Sequence, residues 1–314
     1  MNKIPAIMSW SGGKDSAYAL HTVLQAGVYD VQFLLSNFNG EQKRLSTHGI
    51  SEALIEAQSE ALGIPLQKMY VYESSNAAYE KALTEFLETA TSKKIFHVIF
   101  GDIFLEDLRA YREEKLAAVG MQAVFPLWGK NTLRLVRSFI DDGFKSMICC
   151  VNDAYLTEKH AGKIIDHPFI DQLPLSSDPC GENGEYHSFC FDGPVYTKPI
   201  AVAHTNTRYK SLPLTMHSVE STANAPITLG FWYANLILAH TLPKHEPKSC
   251  ERCGQYFECK PGDITHCQCF GRAISAEVKD WMAKKYIDCI CGNCITALNN
   301  PSILFREKFG SSPH

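Results

Sequence analysis

The sequence predicts an α/β protein with a doubly wound parallel β-sheet, a smaller α+β second domain and a small cysteine-rich tail that binds metal. Three observations lead to this prediction. Short apolar runs alternate with amphipathic stretches over about the first 145 residues, as in parallel layered folds. A glycine-bearing turn follows the first apolar run at once. Eight of the 12 cysteines lie between Cys250 and Cys294.

The apolar runs of the first domain give its candidate strands in order. These are Ile4–Met8, Val31–Leu35, Gln67–Val71, Val98–Phe100, Ala123–Phe125 and Ser146–Val151. The helices predicted between them are one that continues through Ala17–Leu20, then Ser51–Leu62, Asn76–Thr91 and Leu105–Val119. Gly63 is a typical stop for the second of these. Ligands of doubly wound sheets normally bind beyond the carboxyl ends of the strands, so a site is expected there.

The turn after the first strand reads Ser9-Trp10-Ser11-Gly12-Gly13-Lys14-Asp15-Ser16. Its glycines let backbone N–H groups converge, and the first turn of the next helix adds unpaired donors and a positive dipole end. Both features favour an anion such as phosphate, although the spacing is not that of a Walker A loop. The string resembles the PP-loop of ATP pyrophosphatases, which split ATP between the α and β phosphates. We therefore interpret it as an ATP site.

The side chains of this loop have distinct predicted roles. Lys14 would neutralise a phosphate oxygen, and the hydroxyls of Ser11 and Ser16 would hydrogen-bond others. Asp15 would repel a phosphate unless it serves a cation. We expect it to hold Mg²⁺, directly or through water, or to fix the loop by accepting backbone N–H bonds. A simple helix cap is the alternative interpretation.

Other candidate residues fall at strand ends and helix starts. Leu35-Ser36-Asn37 ends the second strand, where a base or ribose would lie, although ordinary strand-end polar residues are equally consistent. His48 precedes the second helix, and an isolated histidine is more often structural. Gly101 and Asp102 follow the fourth strand and place a carboxylate at the edge that carries the ATP loop. An aspartate that caps the next helix is the competing explanation.

The strongest signal in the second domain is the acidic, glycine-containing stretch Asp178–Glu185. Glu182 and Glu185 lie close together within it, and Asp178 stands just upstream. Such a stretch could bind a cationic group or Mg²⁺, or supply a general base for an incoming amine. A solvated turn is the alternative.

Residues 1 to about 240 resemble the diphthine–ammonia ligase family of PP-loop ATPases. Five stretches carry the likeness: Ser11–Ser16; Thr47–Gly49 with Ala61–Leu66; Gly101–Ile103; Pro126–Trp128; and Asp178–Glu185 leading to Asp192–Pro194. The resemblance implies a HUP-type, Rossmann-like nucleotide domain followed by a smaller substrate domain. It also implies a reaction in which a substrate carboxylate attacks the α-phosphate of ATP, PPi leaves, and ammonia displaces AMP to give an amide.

The chemistry of the residues, their places in the fold and the resemblance together indicate which residues act in this reaction. The expected ATP-binding residues are Ser11, Gly12, Gly13, Lys14, Asp15, Ser16, Ser36, His48 and Gly101. The expected catalytic residues are Lys14, Asp15, Asp102, Glu182 and Glu185. The expected partners are ammonia and a carboxylate substrate, which a protein could carry.

Two other functions stay open. A PP-loop enzyme that thiolates RNA would also adenylate its substrate, but it needs a reactive cysteine near the nucleotide. Cys180 is the one placed for this role, because Cys149 and Cys150 lie in an apolar run. A non-catalytic nucleotide-binding scaffold, whose zinc tail recruits a partner, would bind ATP without turnover.

The tail carries eight predicted metal ligands: Cys250, Cys253, Cys259, Cys267, Cys269, Cys289, Cys291 and Cys294. Two Cys-x-x-Cys pairs match the spacing of zinc ligands, and eight thiols suit two Zn²⁺ in Cys₄ sites. An iron–sulfur cluster is the alternative. The arrangement resembles the bacterial cysteine-rich CWC domain, except that Gln268 stands where that pattern has tryptophan. We expect this tail to need metal to fold and to serve a structural or protein-binding role.

Composition excludes several classes of protein. The chain has 314 residues, of which 20% are charged, and a formal net charge of −4, so nucleic acid is an unlikely partner. The N-terminus lacks a secretory pattern, and the apolar stretch Ile227–Ala239 is shorter than the roughly 20 residues of a membrane span. We expect a cytoplasmic protein without membrane contact. Its expected domains are an ATP-binding domain at 1–150, a substrate domain at 151–242 and a zinc-binding domain at 248–314.

Overall fold

The computed structural model describes residues 3–45, 48–72, 76–213, 228–239, 246–260 and 263–310. The chain forms two compact units, which divide between Ala239 and His240. The loop that the sequence predicts at 216–226, and Pro243 of the predicted linker, lie outside the described residues. None of the helices in the described ranges is both long and apolar enough to cross a bilayer.

Strands and helices alternate through the first part of the first unit. In chain order they are β1 (Ile4–Ser9), α1 (Lys14–Ala26), β2 (Tyr29–Asn39), β3 (Arg44–Leu45), α2 (Glu52–Leu62), β4 (Leu66–Val71), α3 (Asn76–Ser92), β5 (His97–Ile99), α4 (Glu106–Ala117), β6 (Gln122–Val124) and α5 (Thr132–Asp141). The predicted strands and helices of this region are confirmed. Helix α5 was not predicted, although Asn131 caps it by accepting a hydrogen bond from the Arg134 N–H at 3.0 Å.

The parallel sheet is wound in both directions from β1. Strand β1 pairs in parallel with β2 on one side and with β5 on the other, and β2 and β5 then pair with β4 and β6. Strand β3 adds a short antiparallel pairing at the end of β2. The direction in which successive strands are added to the sheet therefore reverses between β1 and β5. Sheets of this class bind their ligands at such a point.

Both faces of the parallel sheet are buried, as a doubly wound fold requires. Along β1, Ala6 and Met8 face one core while Ile7 faces the other, because successive residues of a strand point to opposite faces. The second core also contains Leu87 of α3 and Leu116 of α4. Burial on both faces is the reason why these strands read as continuous apolar runs in the sequence.

A second, antiparallel sheet completes the first unit. Its elements are β7 (Lys145–Asn152), the short helix α6 (His167–Asp171), β8 (Tyr186–Asp192), β9 (Val202–Pro213) and β10 (Thr228–Leu238), with strand order β8-β7-β10-β9. The strand predicted at Ser146–Val151 forms, but its placement with the parallel strands is wrong. It pairs antiparallel with β8 and β10. Its unbroken buried run is typical of parallel strands, so the pattern alone does not separate the two cases.

The second unit is small, and its described residues form a hairpin and three short α-helices joined by irregular segments. It contains the hairpin β11 (Glu246–Ser249) and β12 (Tyr256–Cys259), then α7 (Ala276–Lys285), α8 (Gly292–Leu298) and α9 (Pro301–Phe309). Its core includes three cysteines, Cys250, Cys291 and Cys294, together with apolar side chains such as Ile290 and Leu298. Cysteines thus supply a large share of what this unit buries.

Candidate active site

The loop Ser11–Ser16, called the PP-loop below, lies at the carboxyl end of β1 and turns sharply at Gly12. Gly12 has φ of 74°, and a Cβ atom there would lie 2.6 Å from Ile55 Cδ1 and 2.7 Å from Gln58 Oε1. Any larger residue would therefore be strained and would also collide with helix α2. The glycine at this position is required by the close packing of the loop on α2.

Gln58, which the sequence analysis missed, holds the loop from inside the protein. Its Nε2 donates to the carbonyls of Gly12 at 2.9 Å and Cys190 at 2.6 Å. Its Oε1 accepts from Trp10 Nε1 at 2.8 Å. The side chain is fully buried. A polar residue in line with Leu54 and Ala61, on the apolar face of a helix, was the signal that could have revealed it.

Strand β8 of the second sheet also binds the loop. The Cys190 N–H donates to the Gly12 carbonyl at 2.8 Å, and the Lys14 N–H donates to Ser188 Oγ at 3.2 Å. The loop is therefore fixed between the parallel sheet and the antiparallel one. Nothing in the local sequence of the loop encodes these contacts, because β8 is more than 170 residues away.

The serines of the loop shape its backbone. Ser11 Oγ accepts from the Gly13 N–H at 3.3 Å, and Ser16 Oγ donates to the Gly13 carbonyl at 3.0 Å. Helix α1 begins at Lys14, and its cap residue, Gly13, provides no side-chain hydrogen bond to the first turn. The N–H groups of that turn therefore keep a positive dipole end at the cavity.

Lys14 is buried at the floor of the site. Its Nζ lies 2.7 Å from both carboxylate oxygens of Asp15 and also donates to the Cys180 carbonyl. Burial alone would lower the pKa of Lys14, but the charge of Asp15 and further acidic groups raise it above its usual value. The side chain is therefore a fixed cation next to the loop.

A cavity of about 410 Å³ opens over the loop and brings three predicted acidic residues together. Asp15, Asp102 and Glu182 all line it. Burial raises the pKa of each of the three carboxyl groups, and neighbouring carboxylates add to the effect: Asp178 acts on Asp15, Asp15 acts on Asp102, and both Asp15 and Asp102 act on Glu182. The pKa of Glu182 reaches about 7, although Lys14 and the Ile103 N–H act in the opposite direction.

Gly101 allows the end of β5 to touch the first turn of α1. A Cβ atom on Gly101 would lie 2.9 Å from the Asp15 carbonyl carbon and 3.0 Å from the Ser16 nitrogen, both of which are backbone atoms. The glycine lines the cavity and also brings Asp102 to the same sheet edge as the PP-loop. Asp102 lies 3.2 Å from Nε of Arg112.

The carboxylates of the acidic loop, Asp178–Glu185, have two different roles. Glu185 is fully buried, accepts from the N–H groups of Asp178 at 2.7 Å and Asn183 at 3.0 Å, and does not line the cavity. Asp178 likewise accepts from the Cys180 N–H at 2.8 Å and the Glu182 N–H at 3.2 Å. The carboxylate of Glu185 is thus occupied inside the loop, and of the two glutamates expected to be catalytic Glu182 is the one that reaches the cavity.

Two histidines meet beside the loop. His48 and His187 both line the cavity, and their ring centroids are 4.5 Å apart. Burial and the charge of Lys14 lower the pKa of His187 to about 4, and burial together with His187 lowers the pKa of His48 well below its usual value. The pair is therefore neutral at neutral pH. His187 lies on β8, and the sequence analysis did not identify it. Thr47, the neighbour of His48 in the predicted motif, lies outside the described residues.

A second cavity, of about 370 Å³, adjoins the first at the end of β2. Apolar side chains such as Leu35, Met69 and Phe100 form most of its lining. Asn37 also lines it, and its Oδ1 is buried with no hydrogen-bond partner among the described residues. Ser36, for which a nucleotide contact is expected from the sequence, does not line this cavity. Its hydroxyl points to the other face of the strand and donates to the Trp10 carbonyl at 2.7 Å.

The second unit brings four of its thiols together. The Sγ atoms of Cys250, Cys253, Cys291 and Cys294 all lie within 4.8 Å of one another, as the ligands of one tetrahedral metal ion would. Among the other four predicted ligands, Cys267 and Cys269 have their Sγ atoms 3.3 Å apart. The two Cys-x-x-Cys pairs of the cluster, Cys250 with Cys253 and Cys291 with Cys294, were predicted as metal ligands from their spacing alone.

Family models match three segments of the chain. They are the diphthamide synthase N-terminal domain at residues 4–123, the diphthamide synthase C-terminal domain at residues 131–219, and the cysteine-rich CWC domain at residues 250–296. The chain belongs to the diphthine–ammonia ligase family. It is accordingly an ATP-dependent, AMP-forming ligase of the PP-loop class with a cysteine-rich CWC domain, and the cluster of four thiols in this domain fits a zinc ion.

Curated relatives agree with this family. The chain is 27% identical over 216 residues to the human diphthine–ammonia ligase, an alignment that covers 61% of this chain and 80% of the relative. It is 25% identical over 237 residues to the mouse enzyme of the same name, covering 68% of this chain and 85% of the relative. A solved structure, the U34-tRNA thiolase from Methanococcus maripaludis, aligns with TM-score 0.28 and 17% identity over 45% of this chain and 57% of that one.

The geometry around Cys180 disfavours the thiolase alternative. The Cys180 thiol is buried, burial raises its pKa, and its Sγ donates to the Thr132 carbonyl at 3.3 Å. A sulfur-transferring cysteine needs an accessible thiolate. In this protein Cys180 contributes its backbone carbonyl to Lys14 instead.

Proposed function

We propose that the first unit uses ATP to activate a substrate carboxylate and then converts it into an amide with ammonia. A carboxylate oxygen attacks the α-phosphorus, the bond to the bridging oxygen breaks, and PPi leaves with the electron pair. Ammonia then attacks the acyl carbon, AMP leaves, and one proton passes from nitrogen to a base. The relatives are named for diphthine, so we propose a diphthine-like carboxylate on a protein as the substrate class.

The observation that carries this proposal is the meeting of two cavities at the PP-loop. The apolar cavity of about 370 Å³ is suited to a nucleoside, and the polar one is lined by Lys14 and by the other residues of the first turn of α1, Asp15 and Ser16. In the apolar cavity, the unpartnered Asn37 Oδ1 would accept an N–H or O–H of the nucleoside. Lys14 would exchange part of its contact with Asp15 for phosphate oxygens.

The three carboxylates of the polar cavity suit a hard divalent cation. Mg²⁺ prefers oxygen ligands and usually takes one or two carboxylates together with substrate phosphates. Burial, the main cause of their raised pKa values, makes the ionised carboxylates costly, and a bound cation would lower that cost. When bound, Mg²⁺ would neutralise charge on the departing pyrophosphate. We propose Asp15 and Asp102 as its ligands.

Glu182 is the proposed base for ammonia. At neutral pH ammonia is mostly present as ammonium, which has no lone pair for attack, so a proton must be removed. The pKa of Glu182, at about 7, allows its carboxylate to take up this proton near neutral pH. Glu185 is proposed as a positioning residue, since it holds the N–H groups of the loop that presents Glu182.

We propose that the second unit binds two Zn²⁺. One would be held by Cys250, Cys253, Cys291 and Cys294, and the other by Cys259, Cys267, Cys269 and Cys289. The compact first set supports the first of these sites. We propose a structural or protein-binding role for this unit.

Lys14→Ala tests the enzymatic proposal. The chain is incubated with ATP, Mg²⁺, ammonium chloride and a diphthine-bearing protein, and PPi release is followed. We expect Lys14→Ala to lose PPi release almost completely, because the cavity then lacks its buried cation. Lys159→Ala, which removes an exposed lysine outside both cavities, is the control and should keep the wild-type rate. Equal rates for Lys14→Ala and the control would contradict the proposal.

A further inference from the structure

The two cavities of the first unit share five lining residues. These are Ser9, Ser11, His48, Leu108 and Arg112. With the nucleoside in the apolar cavity and the outer phosphates in the PP-loop cavity, the α-phosphate lies where the cavities meet, because it links the ribose to the β-phosphate. The shared residues therefore surround the position of the phosphorus atom at which the reaction takes place.

Arg112, on α4, is the one shared residue that carries a charge. Its guanidinium stays protonated at any physiological pH. His48 is uncharged, because burial and His187 lower its pKa. The remaining shared residues are two serines and a leucine. A group with negative charge at this junction would thus face Arg112.

Arg112 is held in place from two sides. Its Cζ lies 4.2 Å from the centroid of the Phe100 ring, and its Nε lies 3.2 Å from Oδ2 of Asp102. The ion pair is not aligned as a hydrogen bond, since Asp102 Oδ2 has no hydrogen-bond partner among the described residues. The guanidinium is therefore oriented while its N–H groups stay available for an incoming anion.

Two neighbouring lysines are placed differently. Lys14 lines the PP-loop cavity but not the apolar one, so it faces the outer phosphates. Lys115 lines the apolar cavity but not the PP-loop cavity, and its Nζ lies 3.0 Å from Oε1 of Glu80. The three cations thus lie at different positions along the proposed nucleotide: Lys14 at the outer phosphates, Arg112 at the junction of the cavities and Lys115 at the nucleoside.

We propose that Arg112 binds the α-phosphate of ATP and stabilises the negative charge that builds on its non-bridging oxygens during attack by the carboxylate. This inference rests on the proposed function. A planar guanidinium can give two parallel hydrogen bonds to a phosphate, which suits a phosphorus centre that gains negative charge in the transition state. Phe100 and Asp102 then act as positioning residues for Arg112.

Binding of nucleotide fragments tests this assignment without knowledge of the substrate. Adenosine, AMP, inorganic pyrophosphate and ATP with Mg²⁺ are each measured as competitors of a fluorescent ATP analogue on the full chain. In Arg112→Gln we expect AMP and ATP to bind about tenfold more weakly, as for the loss of a charge-assisted pair. Adenosine and pyrophosphate should stay within about twofold of wild type, since neither contains the α-phosphate.

Arg109→Gln is the matched control. Arg109 lies on the same helix, stacks over Trp128 at 4.6 Å and pairs with Glu113 at 2.7 Å, but lines neither cavity. It should change none of the four affinities. Arg112→Met, which keeps an apolar contact with Phe100, is the second variant if Arg112→Gln does not fold, and the same pattern is expected for it.

Three results would overturn the assignment. Unchanged AMP affinity would place Arg112 away from the phosphates. Weakened pyrophosphate binding would place it at the outer phosphates, and weakened adenosine binding would reduce its role to shaping the apolar cavity. If the wild-type chain binds none of the four compounds, the nucleotide site itself fails, and that result is distinct from a failure confined to Arg112.

Discussion

The two units of this chain hold their functional groups in place by different means. In the first unit, the PP-loop is fixed by neutral hydrogen bonds from Gln58 and from strand β8, which lie far from it in sequence. In the second unit, four thiols from within 45 residues converge on one point, and three of them belong to its small core. The first site is a product of packing over a whole domain, whereas the second gathers the ligands of a metal ion from one short segment.

Removal of metal should produce the largest effect and should be confined to the second unit. Structural zinc in small domains contributes about 10–16 kcal/mol of apparent binding free energy, so a Cys₄ site without it leaves its unit unfolded. We expect Cys250→Ser, or a strong chelator, to expose residues 246–310 to proteolysis while ATP affinity stays unchanged. Metal analysis of the wild-type chain should give zinc rather than iron. If residues 246–310 resist protease without metal, the expectation that the second unit depends on metal for its fold would be contradicted.

Gln58→Ala should destabilise the first unit, but by less than the removal of metal destabilises the second unit. The change leaves the Trp10 N–H without its partner and removes one of the two hydrogen bonds to each of the carbonyls of Gly12 and Cys190, which keep the Cys190 N–H and the Tyr196 hydroxyl as donors. One unsatisfied buried donor and two lost hydrogen bonds predict a loss of about 3 kcal/mol in the free energy of unfolding, measured in urea, together with weaker ATP binding. Gln67→Ala, at an exposed position on β4, should change stability by less than about 0.5 kcal/mol. Equal stability of the two variants would show that Gln58 does not hold the loop.

The pH dependence of amide formation sharpens the role of the acidic loop. Glu182 has a pKa of about 7, and the base acts only when deprotonated, so the rate should rise as pH increases through about 7. Glu182→Gln should slow the reaction and make its rate follow the supply of free ammonia, which keeps rising with pH from 6 to 8, whereas the wild-type rate should level off above about pH 7. Its ATP affinity should change little. A profile that keeps its wild-type shape in Glu182→Gln would assign the proton transfer to another group.

Ser36→Ala and Asn37→Ala form the pair with the smallest expected effects. Ser36 donates to the Trp10 carbonyl on the side away from the cavity, so its loss should lower stability by about 1 kcal/mol without changing ATP affinity. Asn37 offers an unpartnered oxygen inside the apolar cavity. Its replacement should weaken adenosine and ATP alike by a few-fold while stability stays near wild type. The reverse pattern would restore Ser36 as the nucleotide contact.

Ser36 and Asn37 show how much of the site could be predicted from the sequence alone. The PP-loop was readable because its function depends on six consecutive residues, and the cysteine tail because metal ligands have characteristic spacings. Strand ends were readable as a region, but the choice between Ser36 and Asn37 depends on which face of β2 meets the cavity. That choice follows from the register of the whole sheet.

Residues brought in from distant elements could not be predicted. His187 and Ser188 reach the PP-loop only because the antiparallel sheet packs against it, and that sheet includes β7, which the sequence pattern assigned to the parallel sheet. Arg112 looked like one more charge on the exposed face of an amphipathic helix. Its position between the two cavities follows from the packing of α4 on Phe100, which no local pattern encodes.

The products made from ATP test the central claim most directly. The wild-type chain is incubated with ATP, Mg²⁺, ammonium chloride and a diphthine-bearing protein, and phosphorus NMR follows the phosphate resonances. Cleavage at the α-phosphate predicts AMP and pyrophosphate in equal amounts, each matched by one amide. Formation of ADP and inorganic phosphate instead would show that the PP-loop presents a different phosphorus atom to the substrate, and would contradict the account.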